Sequence, residues 1–188
     1  MPAYFDPSLI DQLTGYLIID TNVLHSCFTD PKFFVDFMVI TKNTQLLIDP
    51  IVRLEFMRGA YQENLYAEKR AFLEYDKFYI MTDHYQMYKD LYDRALSISR
   101  IYSHHGKPDL KLGDLFIIAR MAIYKSRVIL ATMDKDDFGT LLFNRIGIAT
   151  FTREKKDKHV QKDIIEVTQF LRFDQKQCDE CFGGLPKR

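Results

Sequence analysis

An apolar run that stops abruptly at a carboxylate occurs twice in this chain, and the pair constrains the fold more than any other feature. Leu17-Ile18-Ile19 ends at Asp20-Thr21-Asn22, and Val128-Ile129-Leu130-Ala131-Thr132-Met133 ends at Asp134. Continuous apolar runs without polar alternation describe strands buried on both faces, as in the parallel sheets of α/β domains. Such a strand delivers the residue after it to the carboxyl edge of the sheet, where open α/β folds bind ligands. Two strands ending in acids set negative charges side by side. That arrangement is costly unless a cation lies between them, and a divalent metal ion meets the need.

The pattern between the two runs supports this architecture. Helices are expected over residues 22–28 and 31–42, with Pro31 suited to a helix start, and over 51–57, 61–76, 85–102 and 112–124. Strands are expected at 46–48, 78–81 and 146–151, and His104-His105-Gly106-Lys107-Pro108 is the clearest loop. Alternating strands and helices predict βαβ units and a three-layer α/β/α domain with a central parallel sheet over residues 1–151. From residue 152 the character changes. Val160, Ile164, Val167 and Leu171 recur at helical spacing and predict an amphipathic helix over about 159–170, within a C-terminal helical tail of residues 152–188. The last stretch, 175–188, is polar and reads as loose. The predicted helix would dock its stripe on its own domain or on a second copy, so a homo-oligomer is an expected state.

With 188 residues the chain can bury one sizeable core. Its 26 Lys+Arg balance 26 Asp+Glu, which argues against a module that coats nucleic acid by charge alone. No stretch has the length of a membrane span, the N-terminus lacks a signal-peptide layout, and three unevenly placed cysteines suggest no disulfide framework. A reducing cytoplasm is the expected location. Cys178-Asp179-Glu180-Cys181 is a lone C-x-x-C without the further ligands zinc needs. Tyr85, Tyr88 and Tyr92 fall at helical spacing and read as a packing stripe. Arg153, Lys155, Lys156 and Lys158 form the best basic patch, a solvated linker or a phosphate contact.

Each acid carries a bland reading beside a functional one. Asp20 and Asn22 could cap the helix that begins there. Glu55 follows Ile51 and Leu54 onto the packed face of its helix, or forms an exposed pair with Arg58. Asp114 extends the apolar stripe of Ile118, Met121 and Ala122, or is a first-turn acid favoured by the helix dipole. In Asp134-Lys135-Asp136-Asp137, the strand fixes Asp134 at the sheet edge and Asp137 lies a turn further on, whereas Asp136 points to solvent.

The ordered set resembles a known family. Ile19-Asp20-Thr21-Asn22-Val23-Leu24, Glu55 in its helix, Asp114-Leu115-Phe116-Ile117-Ile118-Ala119 and Thr132-Met133-Asp134-Lys135-Asp136-Asp137-Phe138 resemble the PIN-domain nucleases, a family that includes toxins of many toxin–antitoxin pairs. The resemblance covers about residues 16–151. It implies a PIN-like fold, RNA as substrate, an antitoxin protein as candidate partner, and Asp20, Glu55, Asp114 and Asp134 as the catalytic acids. It also implies Asp137 as an added or substitute metal ligand, and Asn22 and Thr132 as supporting residues. An all-oxygen ligand set suits Mg²⁺ or Mn²⁺ rather than Zn²⁺. The implied chemistry is metal-assisted hydrolysis, with one ion activating water and another steadying the leaving oxygen. The chain departs from compact toxin members in its tail, in the charged segment 61–77, and in Asp49, one more acid at a strand end. The alternatives are a structure-specific DNA nuclease and a PIN-like scaffold that binds RNA or a partner without cutting. A receiver domain would need a lysine at the end of the fifth strand, which Phe151 does not supply.

Overall fold

The computed structural model describes residues 3–157 and 160–185. A seven-stranded mixed sheet runs through it, with helices packed against it. In chain order the elements are β1 (Tyr4–Phe5), α1 (Ser8–Gln12), β2 (Gly15–Ile19), α2 (Thr21–Thr29), α3 (Pro31–Ile40), β3 (Thr44–Ile48), α4 (Pro50–Met57) and α5 (Glu63–Leu73). Then follow β4 (Phe78–Ile80), α6 (Tyr85–His104), α7 (Leu112–Tyr124), β5 (Val128–Thr132), β6 (Phe143–Asp157), β7 (Val160–Phe173) and α8 (Gln175–Gly183). The strand order is β1-β6-β7-β5-β2-β3-β4.

The centre of the sheet is parallel: β2 pairs with β5 on one side and β3 on the other, and β3 pairs with β4. Leu17, Ile18 and Ile19 are fully buried, as is every residue of β5, which is why these strands read as continuous apolar runs. The chain leaves β2 for β3 and β4, then returns to β2's other side as β5. The crevice outside the ends of β2 and β5 is therefore a topological switch point. Register sets what meets there. Ile19 lies opposite Ala131, and the amide of Asp20 extends the ladder by donating to the Ala131 carbonyl at 2.9 Å. Asp20 thus stands directly beside Thr132.

Helix starts follow local chemistry. Asp20, Asp30, Asp49 and Asp174 each accept a hydrogen bond from an amide in the first turn of the helix that follows. Pro31 and Pro50 stand at the first position of α3 and α4, where a missing N–H costs nothing.

The tail differs from the sequence expectation. Residues 160–173 form β7 rather than a helix, and β7 lies antiparallel between β5 and β6. The sheet is accordingly not wholly parallel. The four-residue spacing of apolar residues also fits a strand rich in β-branched side chains: Ile164, Ile165, Val167 and Thr168 favour the extended state. Buried residues lie consecutively over Thr168, Gln169, Phe170 and Leu171, as in a strand covered on both faces, whereas Ile165 is exposed. The expected boundary after Phe151 falls inside β6, and the stretch expected to be loose contains α8, which buries Cys178. His159 lies outside the described residues. The hairpin packs on α3 through Phe33 against Phe151, ring centroids 4.2 Å apart, and Phe37 against Phe170 at 6.4 Å.

Candidate active site

Asp20 caps α2 and stands at the carboxyl edge of the sheet. One carboxylate oxygen accepts from the Thr21 amide at 2.6 Å, and the other accepts from Asn22 Nδ2 at 2.9 Å and Thr132 Oγ1 at 2.5 Å. Asn22 in turn accepts from the Met133 amide at 3.1 Å, and Thr132 Oγ1 accepts from the Asp134 amide at 3.0 Å. Asn22 and Thr132 therefore lace the start of α2 to the end of β5, with Asp20 buried at the crossing. Burial raises its pKa, the bonds from Thr132 and the Thr21 amide oppose that, and the charge of Glu55 adds to it.

Glu55 comes in from α4. Thr21 Oγ1 donates to its Oε2 at 2.6 Å, so it turns toward Asp20 and makes no ion pair with Arg58 among the described residues. Its carboxylate lies over the first turn of α7, where Gly113 leaves room for it: a Cβ there would fall 2.4 Å from Glu55 Oε1. The apolar sequence around Gly113 carries no signal of this role.

Asp114, half-buried, stands in the same turn. Its Oδ2 is buried without a hydrogen-bond partner. Burial and the charges of Asp20 and Asp137 push its pKa up to about 7, with Lys111 pulling the other way. Asp134 behaves oppositely. Burial would raise it, but amides of Asp137 and Asp136, donating to its Oδ1 at 3.0 and 2.9 Å, together with Lys111 hold it below the usual carboxylate value. Asp136 itself is exposed.

The loop between α6 and α7 reaches this acidic turn, a contact the sequence did not suggest. Gly106, at φ 78°, turns the chain after α6. Lys107 Nζ then donates to the Asp136 carbonyl, Tyr102 OH donates to the Asp137 carbonyl at 3.3 Å, and Lys111 Nζ lies 3.2 Å from Asp137 Oδ2 and 3.9 Å from Asp134 Oδ2.

Beneath the site lies a buried ion triad. Arg120 of α7, 1% exposed, donates to Asp49 at 2.7 Å and doubly to Asp83 at 2.5 and 2.6 Å. Asp49, the unassigned strand-end acid, thus caps α4 and clamps it to α7. The helices bearing Glu55 and Asp114 are fixed to each other by this contact. Arg120 was hidden in sequence because a basic residue in a helix ordinarily reads as solvated.

Among the described residues, no three His, Cys, Asp or Glu side chains stand close enough to hold one ion between them. Asp20, Glu55, Asp134 and Asp137 each turn to a protein donor, and Asp114 keeps an unpartnered oxygen. Those donors are short hydroxyl, amide and ammonium contacts that a cation could replace. The all-oxygen set and the orphaned Asp114 atom fit Mg²⁺ or Mn²⁺.

Two expectations outside the site need correction. Arg153 is turned inward, bonding Asp30 at 3.1 Å, Glu166 at 2.7 Å and Thr29 at 2.8 Å, so its charge is taken up by the hairpin's docking on α2 and α3. Lys155 and Lys156 belong to β6, and Lys158 lies outside the described residues. Tyr85, Tyr88 and Tyr92 do not pack. They are 85%, 53% and 57% exposed and flank the stripe that α6 buries through Leu91, Ala95 and Ile98.

A mixed α/β sheet thus brings acids from several elements to the switch point of its parallel strands. The family model of the PIN domain matches residues 17–142, and the chain belongs to the PIN-domain family. PIN domains are generally nucleases, act on nucleic acids and generally use divalent metals. No curated protein and no solved structure matches the chain. Among the described residues, no helix is long and apolar enough to cross a membrane.

Proposed function

We propose that this chain is a metal-dependent endoribonuclease whose catalytic acids are Asp20, Glu55, Asp114 and Asp134, with Asp137 as an additional ligand. The observation that carries the reading is the convergence of these acids on one sheet edge with the buried oxygen of Asp114 unpartnered. Mg²⁺ or Mn²⁺ bound there would supply a water of lowered pKa and positive charge for the leaving oxygen. The chain's own residues set the stage. Asn22 and Thr132 orient Asp20 and hold its strand end to β5. Thr21 and Gly113 aim Glu55, and Arg120 fixes α4 against α7. Burial keeps the Asp20 carboxylate apart from competing solvent, which strengthens its pull on a cation.

RNA is the proposed substrate, with Lys155 and Lys156, and Lys158 beyond them, as cations for its backbone. A toxin role is the narrower form of this reading. A short DNA-binding antitoxin frame beside the gene would support it, and a solitary gene would count against it. The chemistry is tested directly: purified protein should cleave RNA with Mg²⁺ or Mn²⁺, stop with a chelator, and lose cleavage on Asp20→Asn with its fold intact. Cleavage of DNA but not RNA would favour the DNA-nuclease alternative. Undiminished cleavage by the Asp20→Asn protein would refute the site assignment.

A further inference from the structure

One face of the sheet is open at its amino edge. Register places Tyr16 of β2 beside Gln45 of β3, and Leu47 of β3 beside both Ile18 of β2 and Tyr79 of β4, all on the same face. Toward the carboxyl edge this face is buried, with Ile18 at 0% and Leu47 at 6% exposure, whereas Tyr16 and Tyr79 are 53% and 56% exposed. The opening is a cavity of about 830 Å³ that Tyr124 and Arg127 also line. Met81 joins it to a smaller hollow lined by Arg53 and Leu54. Leu54 and Pro50 join that hollow in turn to a third, walled by Tyr88 and Tyr92. A continuous groove therefore leads from the open face to Leu54, the neighbour of Glu55. Of the carboxylates lining it, Asp49 and Asp83 are held by Arg120, which leaves Asp76 against the exposed Arg53 and Arg127. Exposed charge along the groove nearly cancels, and exposed tyrosine rings dominate it.

We propose that this groove is a substrate track, on which single-stranded RNA stacks bases against Tyr16, Tyr79, Tyr88 and Tyr92 and is led to the catalytic acids. This rests on the reading of the chain as a ribonuclease, and it gives the tyrosines a positioning role. Continuity with the helix that carries Glu55 favours the substrate as occupant over a partner protein or a second copy. Tyr16 and Tyr79 stand on strands separated by β3, about 10 Å apart, so each ring serves its own base. Along α7, Tyr124 lies ten residues beyond Asp114, a rise of about 15 Å. That distance takes about four nucleotides at a stacked spacing of about 3.4 Å, within the size of single-strand sites. Stacking requires bases freed from a duplex and tolerates any sequence. With little net charge in the groove, stacking rather than counterion release holds the strand there.

The test is binding of a fluorescein-labelled ten-nucleotide single-stranded RNA to the full chain in chelator, read by anisotropy. Tyr16→Val with Tyr79→Val keeps β-branched residues in the strands, and Tyr88→Ala with Tyr92→Ala keeps helix formers in α6. Each pair should weaken binding at least about tenfold with the salt slope unchanged, and the corresponding Phe pairs should bind as the unmodified chain. Duplex RNA of the same length should bind at least about tenfold more weakly than the single strand. With Mg²⁺, both pairs should raise KM for RNA cleavage and leave kcat nearly unaltered. Unchanged affinity in both pairs, with melting curves that coincide with the unmodified chain, would overturn the track and leave the ribonuclease reading standing. So would a dimer that the Val pair dissociates without loss of RNA affinity, since the open face would then be an interface between copies. An unmodified chain that cleaves RNA with metal but does not bind it in chelator would likewise overturn the track alone. A chain that neither binds nor cleaves RNA would overturn both.

Discussion

At pH 8 and without divalent cations, replacing Asp114 by Asn should make the fold more stable even as it abolishes cleavage. The carboxyl group has a pKa of about 7 in the folded chain against an ordinary 3.8. The folded state therefore holds a proton more tightly than the unfolded state. Stability falls as the pH rises between those values, and the full cost is present above about 7. At 1.36 kcal/mol per pH unit the ceiling is about 4 kcal/mol. Asp114 is only half-buried, so solvent screening reduces this to about 2 kcal/mol. Its place in the first turn of α7 favours the charge by about 0.3–1 kcal/mol and acts the other way. The net gain for the Asn variant is about 1–2 kcal/mol, which for a chain of this length raises Tm by about 3–6 °C. Melting curves in chelator at pH 8 measure it. The gain should shrink at pH 5, and Mg²⁺ or Mn²⁺ should stabilise the unmodified chain more than the variant. A variant that melts at or below the unmodified chain at pH 8 would show that burial of the Asp114 charge and repulsion from Asp20 and Asp137 do not strain the fold.

Other perturbations follow from the same geometry. Arg120→Met leaves Asp49 and Asp83 buried without a cation and should cost about 3–5 kcal/mol in urea unfolding; a loss under 1 kcal/mol would mean that the triad does not clamp α4 to α7. Replacing Lys155 and Lys156 together by Ala should weaken RNA binding and reduce its salt dependence by about one to two phosphate contacts. Unaltered affinity and salt slope would place the RNA path elsewhere on the surface.

The sequence by itself determined the parallel centre of the sheet and the identity of the acids at its edge. Burial on both faces forces Leu17, Ile18 and Ile19 of β2 and Val128 to Ala131 of β5 to be apolar, and each run stops at the sheet's carboxyl edge. The caps were legible for the same reason: Asp20 and Asp30 act on amides one to three residues away. Only the tertiary structure decided which distant groups meet. Thr132 reaches Asp20 across 112 positions because β2 and β5 pair in one particular register, and no local pattern encodes that number. Arg120 is buried because Asp49 and Asp83 arrive from other elements to receive it, and Lys111 faces acids in the turn that follows β5. The segment 160–173 shows the limit most plainly. Its apolar spacing permits a helix, but the free edge of β5 supplies ladder partners from Ile129 to Thr132, and pairing with that edge settles the segment as a strand.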